Sequence, residues 1–442
     1  MDHTSPWTDR RRQRRVITVE EFKPLLASQA QDFLKLANGL LELNPEQWSQ
    51  RQLYHLYQST TDLETFLDDY GARENRSLFP VRELVAICRW LAVGMSSLVH
   101  LDSRIPFYPA SQQEWTETVL SKQVRSAALR LGEMIMRALA ALQATWAEVG
   151  LGWPDGVLRV DSLGAVGDLV RLPRDAVEQH VGDTGEDHSS DAAMIASRFI
   201  RLVKHMERVN PVRVEGLEKL RQVVAVHCTE AQSRRFEARV HNLQSTYDSL
   251  VAGSQEEQKH PGLLAIRAAA SAAYHCFEAV TALVHLFERH HLEERRGADG
   301  APLLPVEEFL EIVVNKCVVV AYDGLSRTLP TAQKLLDELS ERCSRELLIP
   351  SGVTLHARPI SLIVSVVAHH RGAAEAEIDG ERCSAASIMQ LLVLSGGHPS
   401  ARKIRFYGEQ EVLEDLAALF EAHLGEKGMD RFPPRLAYLA PS

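Results

Sequence analysis

The sequence predicts two folded parts of different class, a large all-α helical bundle followed by a small α+β sandwich of one antiparallel sheet and three helices. From Glu20 to about Leu339, almost every readable segment repeats apolar residues at steps of three and four, as one face of a helix does. After Cys343 the period changes, and short alternating segments separated by turn residues take over. The length of 442 residues leaves room for two to three domains.

The clearest helical pattern lies on either side of the segment 253–262, "GSQEEQKHPG". Two long helices joined by such a short loop should pack antiparallel along their apolar seams. Seams of this kind also lead us to expect a homo-oligomer formed through the helical region. The seam residues are Phe236, Val240, Leu243, Tyr247 and Leu250 in the first run, and Leu263, Ile266, Ala270, Ala273, Phe277, Val280, Val284 and Phe287 in the second.

The domain organisation follows from breaks in these patterns. Residues 149–192 are rich in glycine, proline and acidic side chains, and they either separate two helical subdomains or form one ordered excursion from a single bundle. The expected segments are a basic N-terminal tail at 1–19, an all-α region at 20–340, an α+β domain at 343–424 and a loose C-terminal tail at 425–442.

Composition and charge narrow the function classes. A formal net charge of −10 argues against a general nucleic-acid binder, because phosphate contacts need clustered Lys and Arg. The exception is residues 9–15, with five arginines in seven positions, which we interpret as a solvated tail; contact with an anionic partner is the alternative. The longest apolar stretches are interrupted by Arg89 and Lys316 and do not reach the roughly 18 residues that a membrane span requires.

The cysteines and the N-terminus indicate a cytoplasmic protein. The basic N-terminus does not lead into the apolar region of a signal peptide. The six cysteines are scattered singly, which fits free thiols and neither a disulfide framework nor a zinc site. They are Cys88, Cys228, Cys276, Cys317, Cys343 and Cys383.

The C-terminal part predicts the order strand-helix-strand-strand-helix-strand-helix. Asp379-Gly380 is a strong two-residue hairpin signal, because both residue types tolerate a positive φ. Ser387 stands where an N-cap belongs, directly before the apolar run "IMQLLVL".

The stretch "TLHARP" at 354–359 brings three chemically useful groups to one helix start. The free N–H groups of a first turn, together with the positive end of the helix dipole, suit an anion. Arg358 adds a planar, permanently charged fork that can hold phosphate oxygens, and Pro359 is tolerated near a helix start. The imidazole of His356 can act as a nucleophile near neutral pH. Together these groups can form a site that carries a phosphoryl group on His356; from these residues alone, an ordinary surface loop is the alternative.

From His356 to the last helix, this segment resembles HPr, the histidine phosphocarrier of the bacterial sugar phosphotransferase system. The resemblance rests on "LHARP", the "DG" hairpin, the helix start "SIMQLL" and "YGE" after the last strand, at the family's spacing without a gap. It covers about a fifth of the chain and implies an open-faced β-sandwich. Thr354, Ala386, Ser395 and Pro399 depart from the residues common in the family, and they lie on or near its docking surface.

The resemblance also implies roles and partners. His356 would accept phosphate from the phosphoenolpyruvate-dependent first enzyme of the system, and Arg358 would stabilise it. Ser387 would be a target of HPr kinase, as well as a helix cap. No cofactor, metal or membrane is implied, and we expect no nucleic-acid partner.

The helical region contains many histidines, but no pair has the i, i+4 spacing of a helical metal site. His275 is either a second phosphoacceptor or part of a helix packed on two sides, and we favour packing. We expect a regulatory phosphocarrier that couples phosphotransferase-system status to a helical effector, with a non-catalytic scaffold or oligomerisation protein as the alternative. We expect the protein to be a phosphoryl carrier rather than a stand-alone enzyme.

Overall fold

A computed structural model of the chain describes residues 16–109, 115–160, 189–209, 211–290, 302–342, 344–370, 374–408, 410–428 and 432–439. The buried apolar side chains form two separate cores, one from Phe22 to Leu339 and one from Leu347 to Leu439. The predicted fold class, a large all-α region followed by a small α+β sandwich, is confirmed. Predictions on residues 9–15, Cys343 and Glu409 lie outside the described residues.

The helical region is a bundle of mostly long helices. Side-chain caps fix several of their starts: Thr18, Ser49 and Thr229 each accept a hydrogen bond from a backbone N–H in the first turn. π-helical turns precede α4 (Thr116–Leu120) and join α10 to α11 (Ile312–Val318). The helices are α1 (Val19–Leu41), α2 (Gln50–Asp69), α3 (Phe79–Arg104), α4 (Ser121–Glu148), α5 (Ser189–Glu207), α6 (Leu217–His227), α7 (Glu230–Leu250), α8 (Gln255–Lys259), α9 (Gly262–Arg289), α10 (Val306–Glu311) and α11 (Val319–Arg342).

The predicted antiparallel pair is α7 and α9. Arg267, near the start of α9, donates two hydrogen bonds to Asp248 near the end of α7, at 2.7 and 2.8 Å. Arg289, at the other end of α9, lies 3.3 Å from Glu230 at the start of α7. The two seams are almost entirely buried inside the chain. Seams that are covered within the chain are not available to a second copy, so they do not supply the surface for the expected homo-oligomer.

Helix α3 and its short extension, Phe79–Phe107, form one helix long and apolar enough by composition to cross a membrane. However, 61% of its most apolar window is buried inside the protein. Near its start the guanidinium of Arg82 lies 2.6 Å from Glu64 and 2.8 Å from Glu83, with all three side chains at most 6% exposed. A buried ion-paired segment of this kind is typical of a core helix in a bundle.

The break at 149–192 is described as far as residue 160, and this part packs on α1. The amide of Asn38 donates hydrogen bonds to the carbonyls of Pro154 and Gly156, at 3.0 and 2.8 Å, and Trp153 donates back to its Oδ1 at 2.7 Å. Helices from both sides of the break share one hydrophobic core. These contacts favour a single bundle over two helical subdomains.

The C-terminal core is a four-stranded antiparallel sheet with helices packed against it. The strand order is β1-β4-β2-β3, and Ala376 of β2 pairs with Cys383 of β3 and Phe406 of β4. The hairpin prediction is confirmed: Asp379 has φ +50° and Gly380 φ +87°. The elements are β1 (Ser344–Leu348), α12 (Ala357–His369), β2 (Glu375–Ile378), β3 (Glu381–Ser384), α13 (Ile388–Gly397), β4 (Lys403–Tyr407) and α14 (Gln410–Glu421).

The expectation of a loose tail after residue 424 is wrong for the described residues. Leu436 and Leu439 are buried in the C-terminal core, and the ring of Tyr438 stacks on His369 with centroids 3.6 Å apart. The apolar positions of this segment are too few for a periodic signal, so only the tertiary contacts reveal its packing.

Candidate functional site

His356 is the N-cap of α12. Its backbone is extended, with φ −100° and ψ −173°, and its carbonyl accepts the first helical hydrogen bond from Ile360 at 3.1 Å. Its Nδ1 accepts a hydrogen bond from the backbone N–H of Arg358, at 3.4 Å. The imidazole thus takes the place that Ser or Asp fills at most helix starts. Its side chain is 52% exposed, so the ring can be reached from solvent.

The hydrogen bond from the Arg358 backbone identifies which ring nitrogen of His356 is unprotonated. A nitrogen that accepts an N–H hydrogen bond carries no proton, so in the neutral imidazole Nδ1 is the nucleophile and Nε2 holds the proton. Nε2 points toward Glu426, whose Oε1 lies 3.7 Å away. A carboxylate beside Nε2 favours the tautomer in which Nε2 holds the proton and Nδ1, at the helix start, is unprotonated.

Arg358 and the start of the C-terminal segment meet beside His356. The guanidinium of Arg358 donates to the carbonyl of Gly425, at 3.5 Å. Gly425 has φ +74°, and a Cβ there would lie 2.9 Å from a methyl group of Leu362. Both the backbone conformation and the close approach therefore require glycine at 425.

Ser387 begins α13 and caps it, as the sequence predicted. Its side chain accepts a hydrogen bond from the backbone N–H of Gln390, at 3.4 Å. The outward face of α13 is apolar: Ile388, Met389 and Val393 are 42%, 71% and 72% exposed. We call these three residues the α13 face. Exposed apolar side chains grouped on one helix are typical of a protein-binding surface.

Ser395 ties the end of α13 to the histidine loop. Its hydroxyl donates to the carbonyl of Leu355, at 3.1 Å, and Leu355 directly precedes His356. The sequence marked Ser395 as a departure from the glycine common in HPr proteins, and the structure gives it this contact. His356 and Arg358 thus share one helix start, whereas Ser387 stands eight residues before Ser395, about 12 Å along α13.

Two residues of the site were not predicted from the sequence. Gly425 and Glu426 fall in the segment that was assigned to a loose tail, and neither has a motif of its own. Their positions follow from the turn after α14, where His423 and Leu424 both have positive φ. The sequence signal that could have indicated them is a glycine followed by an acidic residue just after the last helix.

His275, the other candidate phosphoacceptor, packs within the helical bundle. The Nδ1 of His275 lies 2.7 Å from Oε2 of Glu278, its ring packs against His100 with centroids 4.6 Å apart, and its side chain is 12% exposed. The small residues around it, such as Ala268 and Ala272, are buried, which favours our packing interpretation. In the part of the chain that the structure describes, no group of three His, Cys, Asp or Glu side chains could hold a metal ion.

The fold and this helix start define the class of the C-terminal domain: an open-faced sandwich with a histidine at the N-terminus of its first helix. Residues 343–422 match the family model described as the PTS HPr component phosphorylation site, so an HPr-like domain forms this part of the chain. The helical region matches no family model, and neither a curated protein nor a solved structure matches the chain.

Proposed function

We propose that the chain is an HPr-like phosphocarrier that accepts a phosphoryl group on Nδ1 of His356 and uses it for regulation. The observation that carries the proposal is the capping geometry of His356 within a segment that matches the HPr family. The proposed donor is the phosphohistidine of the phosphoenolpyruvate-dependent first enzyme of the phosphotransferase system. This assignment places the protein in the cytoplasm of a bacterium.

The transfer needs no cofactor. The electron pair of Nδ1 attacks phosphorus, the bond from phosphorus to the donor nitrogen breaks, and the donor imidazole leaves with that electron pair. Nε2 of His356 keeps its proton throughout, facing Glu426. The phosphoryl oxygens replace Nδ1 as acceptors of the Arg358 backbone N–H, and the guanidinium of Arg358 turns from Gly425 to them.

The α13 face is the proposed docking surface for the first enzyme. It lies on the helix that Ser395 ties to the histidine loop, so a partner bound there reaches His356. Ser387 opens the same helix, and we propose it as a regulatory phosphorylation site for an HPr kinase. A phosphate there would place about −1.5 to −2 charges beside the docking surface.

We propose that residues 20–340 and 343–424 are separate domains, with the helical region as effector. A linked module acts at high effective concentration on its neighbour, which suits regulation better than bulk sugar transport. The second candidate is a scaffold that uses the HPr-like domain only for docking. The match to HPr with exposed apolar residues on α13 is compatible with this alternative.

The test is phosphorylation of the full chain with phosphoenolpyruvate and the first enzyme from the same organism. We expect an acid-labile, base-stable adduct that is absent from His356→Ala. His398→Ala, a histidine of the same domain that contacts Glu381, should be labelled like wild type. Label that persists in His356→Ala would contradict the proposal and turn attention to His275. A wild-type chain that is not labelled would contradict the phosphocarrier and support the scaffold as the function.

A further inference from the structure

An exposed basic surface runs along the groove between α5 and α7, although the chain as a whole is acidic. On α5 its cations follow at steps of three or four residues, so they lie on one side of the helix along about 15 Å. On α7 two arginines at i and i+4 face the same groove. We call this set the basic ridge: Arg198, Arg201, Lys204, Arg208, Arg235 and Arg239, all exposed.

Contacts between the two helices set their register. Arg198 donates to the hydroxyl of Thr246, at 3.1 Å. Seven residues further along α5, His205 packs on Phe236 with ring centroids 5.3 Å apart. Burial and the positive charges of Arg239 and Arg208 together lower the pKa of His205, so these arginines lie near it. The helices are therefore antiparallel, and their cations line both sides of one groove.

The ridge cations have no carboxylate partners among the described residues. The three carboxylates of α7 turn away from the ridge: Glu230 and Asp248 bind arginines of α9, and Glu237 lies beside Thr281 of the same helix. On α5, Glu207 lies about 100° around the helix from Arg208. By contrast, many arginines elsewhere on the bundle reach a carboxylate at 2.7–3.3 Å, among them Arg125, Arg130, Arg234, Arg267, Arg289 and Arg327.

Six like charges that have no carboxylate partner in the described ranges repel one another, so this surface gains most from an anion that covers it. We propose that the basic ridge is a docking surface for an acidic helix of a partner protein. The cations of α5 stand about 4.5–6 Å apart along the axis, the spacing of glutamates at i, i+3 and i+4 on a facing helix. Five of the six are arginines, whose planar forks pair with carboxylates in two parallel hydrogen bonds.

Nucleic acid fits the ridge less well. Single-stranded nucleic acid binds through exposed aromatic rings as well as through cations. The aromatic side chain beside the ridge, Phe236, is 7% exposed and is covered by His205. An acidic helix needs only the cations.

The test measures fluorescence anisotropy of a labelled helical peptide of about 20 residues, long enough to be helical alone, with glutamate at every third or fourth position. We expect binding to the full chain that weakens with salt and weakens at least about tenfold in Arg201→Glu/Arg239→Glu. The matched control is Lys122→Glu/Arg137→Glu, two exposed cations of α4 with the same change in charge, which should bind within about twofold of wild type. Circular dichroism checks that both variants are folded.

Three results would overturn the proposal. One is absence of peptide binding at low salt. Another is equal weakening in both double variants, which would mean a response to total charge. The third is tighter binding of a labelled DNA duplex than of the peptide, with the same sensitivity to Arg201→Glu/Arg239→Glu, which would make the ridge a nucleic-acid surface. A glutamine version of the peptide should not bind.

Discussion

A single hydrogen bond decides which nitrogen of His356 is available. Because Nδ1 caps α12, its electron pair already points to the place where phosphoryl oxygens would meet backbone N–H groups. Arg358 reaches the same helix end from the side. The sequence predicted both residues, since "LHARP" is local. It could not predict Glu426, because a contact across 70 residues depends on how the turn after α14 folds back.

Ser387 allows its capping role to be separated from the effect of charge. Asp and Asn cap helices about as well as Ser, whereas Ala does not. If a negative charge beside the α13 face repels partners, Ser387→Asp should slow phosphotransfer to His356 about tenfold, the factor given by 1.4 kcal/mol. Ser387→Ala and Ser387→Asn should keep the wild-type rate. Initial rates of labelling by the first enzyme measure this.

If Ser387 is only a helix cap, the same variants should show a different order of transfer rates. If Ser387 acts only through the cap, the alanine variant loses about 1 kcal/mol of helix stability and slows transfer, while the aspartate variant matches wild type. Equal rates in all three variants would leave the residue without a role in transfer.

At the scale of elements, the segment after α14 is held by a buried carboxylate. Asp415 of α14 accepts hydrogen bonds from His370 at 2.8 Å, from Tyr438 at 2.7 Å and from Arg435 at 2.6 Å. The sequence predicted α14 from its period but assigned two of the three partners of Asp415, Arg435 and Tyr438, to a loose tail. Three polar residues spread over 68 positions carry no periodic signal, so this element required the structure.

This carboxylate predicts acid sensitivity of the C-terminal domain. Burial by itself would raise the pKa of Asp415, but the hydrogen bonds from His370, Tyr438 and Arg435 outweigh it and hold the pKa below its ordinary value. Its stabilisation is thus fully present above the unfolded pKa of about 3.9 and is lost as pH falls through the folded pKa. Asp415→Asn should cost about 1.5–3 kcal/mol at pH 7 and flatten the loss of stability below about pH 4.

Hydrogen exchange of peptides from β2 to α14, measured in the full chain, gives this stability without isolating the domain. Glu421→Gln is the matched control, because Glu421 is exposed on the same helix. A variant Asp415→Asn that keeps the wild-type slope below pH 4 would show that other carboxylates set the acid limit.

At the scale of the whole molecule, sequence periodicity was enough to predict the fold class of both parts. Residues such as Phe277 and Val284 repeat in the helical rhythm and are buried as predicted. Periodicity could not say what the seams pack against, and because they are covered within the chain they do not supply the surface for self-association. The basic ridge was missed for a related reason: its cations come from two helices that meet only in the fold.

A sensor and a scaffold predict different behaviour of the bundle. If phosphate on His356 biases a helical arrangement, its contacts differ between two states, and hydrogen exchange should change in residues 16–342. Coupling of about 1–3 kcal/mol corresponds to a change of about 5- to 150-fold in protection of at least one helix. The phosphorylated chain is compared with His356→Ala treated identically. Protection that changes only in residues 344–439 would reject the sensor.

Arg342 ends α11 and Ser344 begins β1, so one residue joins the helical core to the sheet. A residue spans at most about 3.6 Å, so the sheet of the HPr-like domain begins within about 8 Å of the end of α11. A free carrier offers its histidine in every direction through its own rotational diffusion. Here the bundle begins within that distance of the domain, and it occupies part of the solid angle around it. Steric access thereby becomes a determinant of partner choice, in addition to the chemistry of the docking surface.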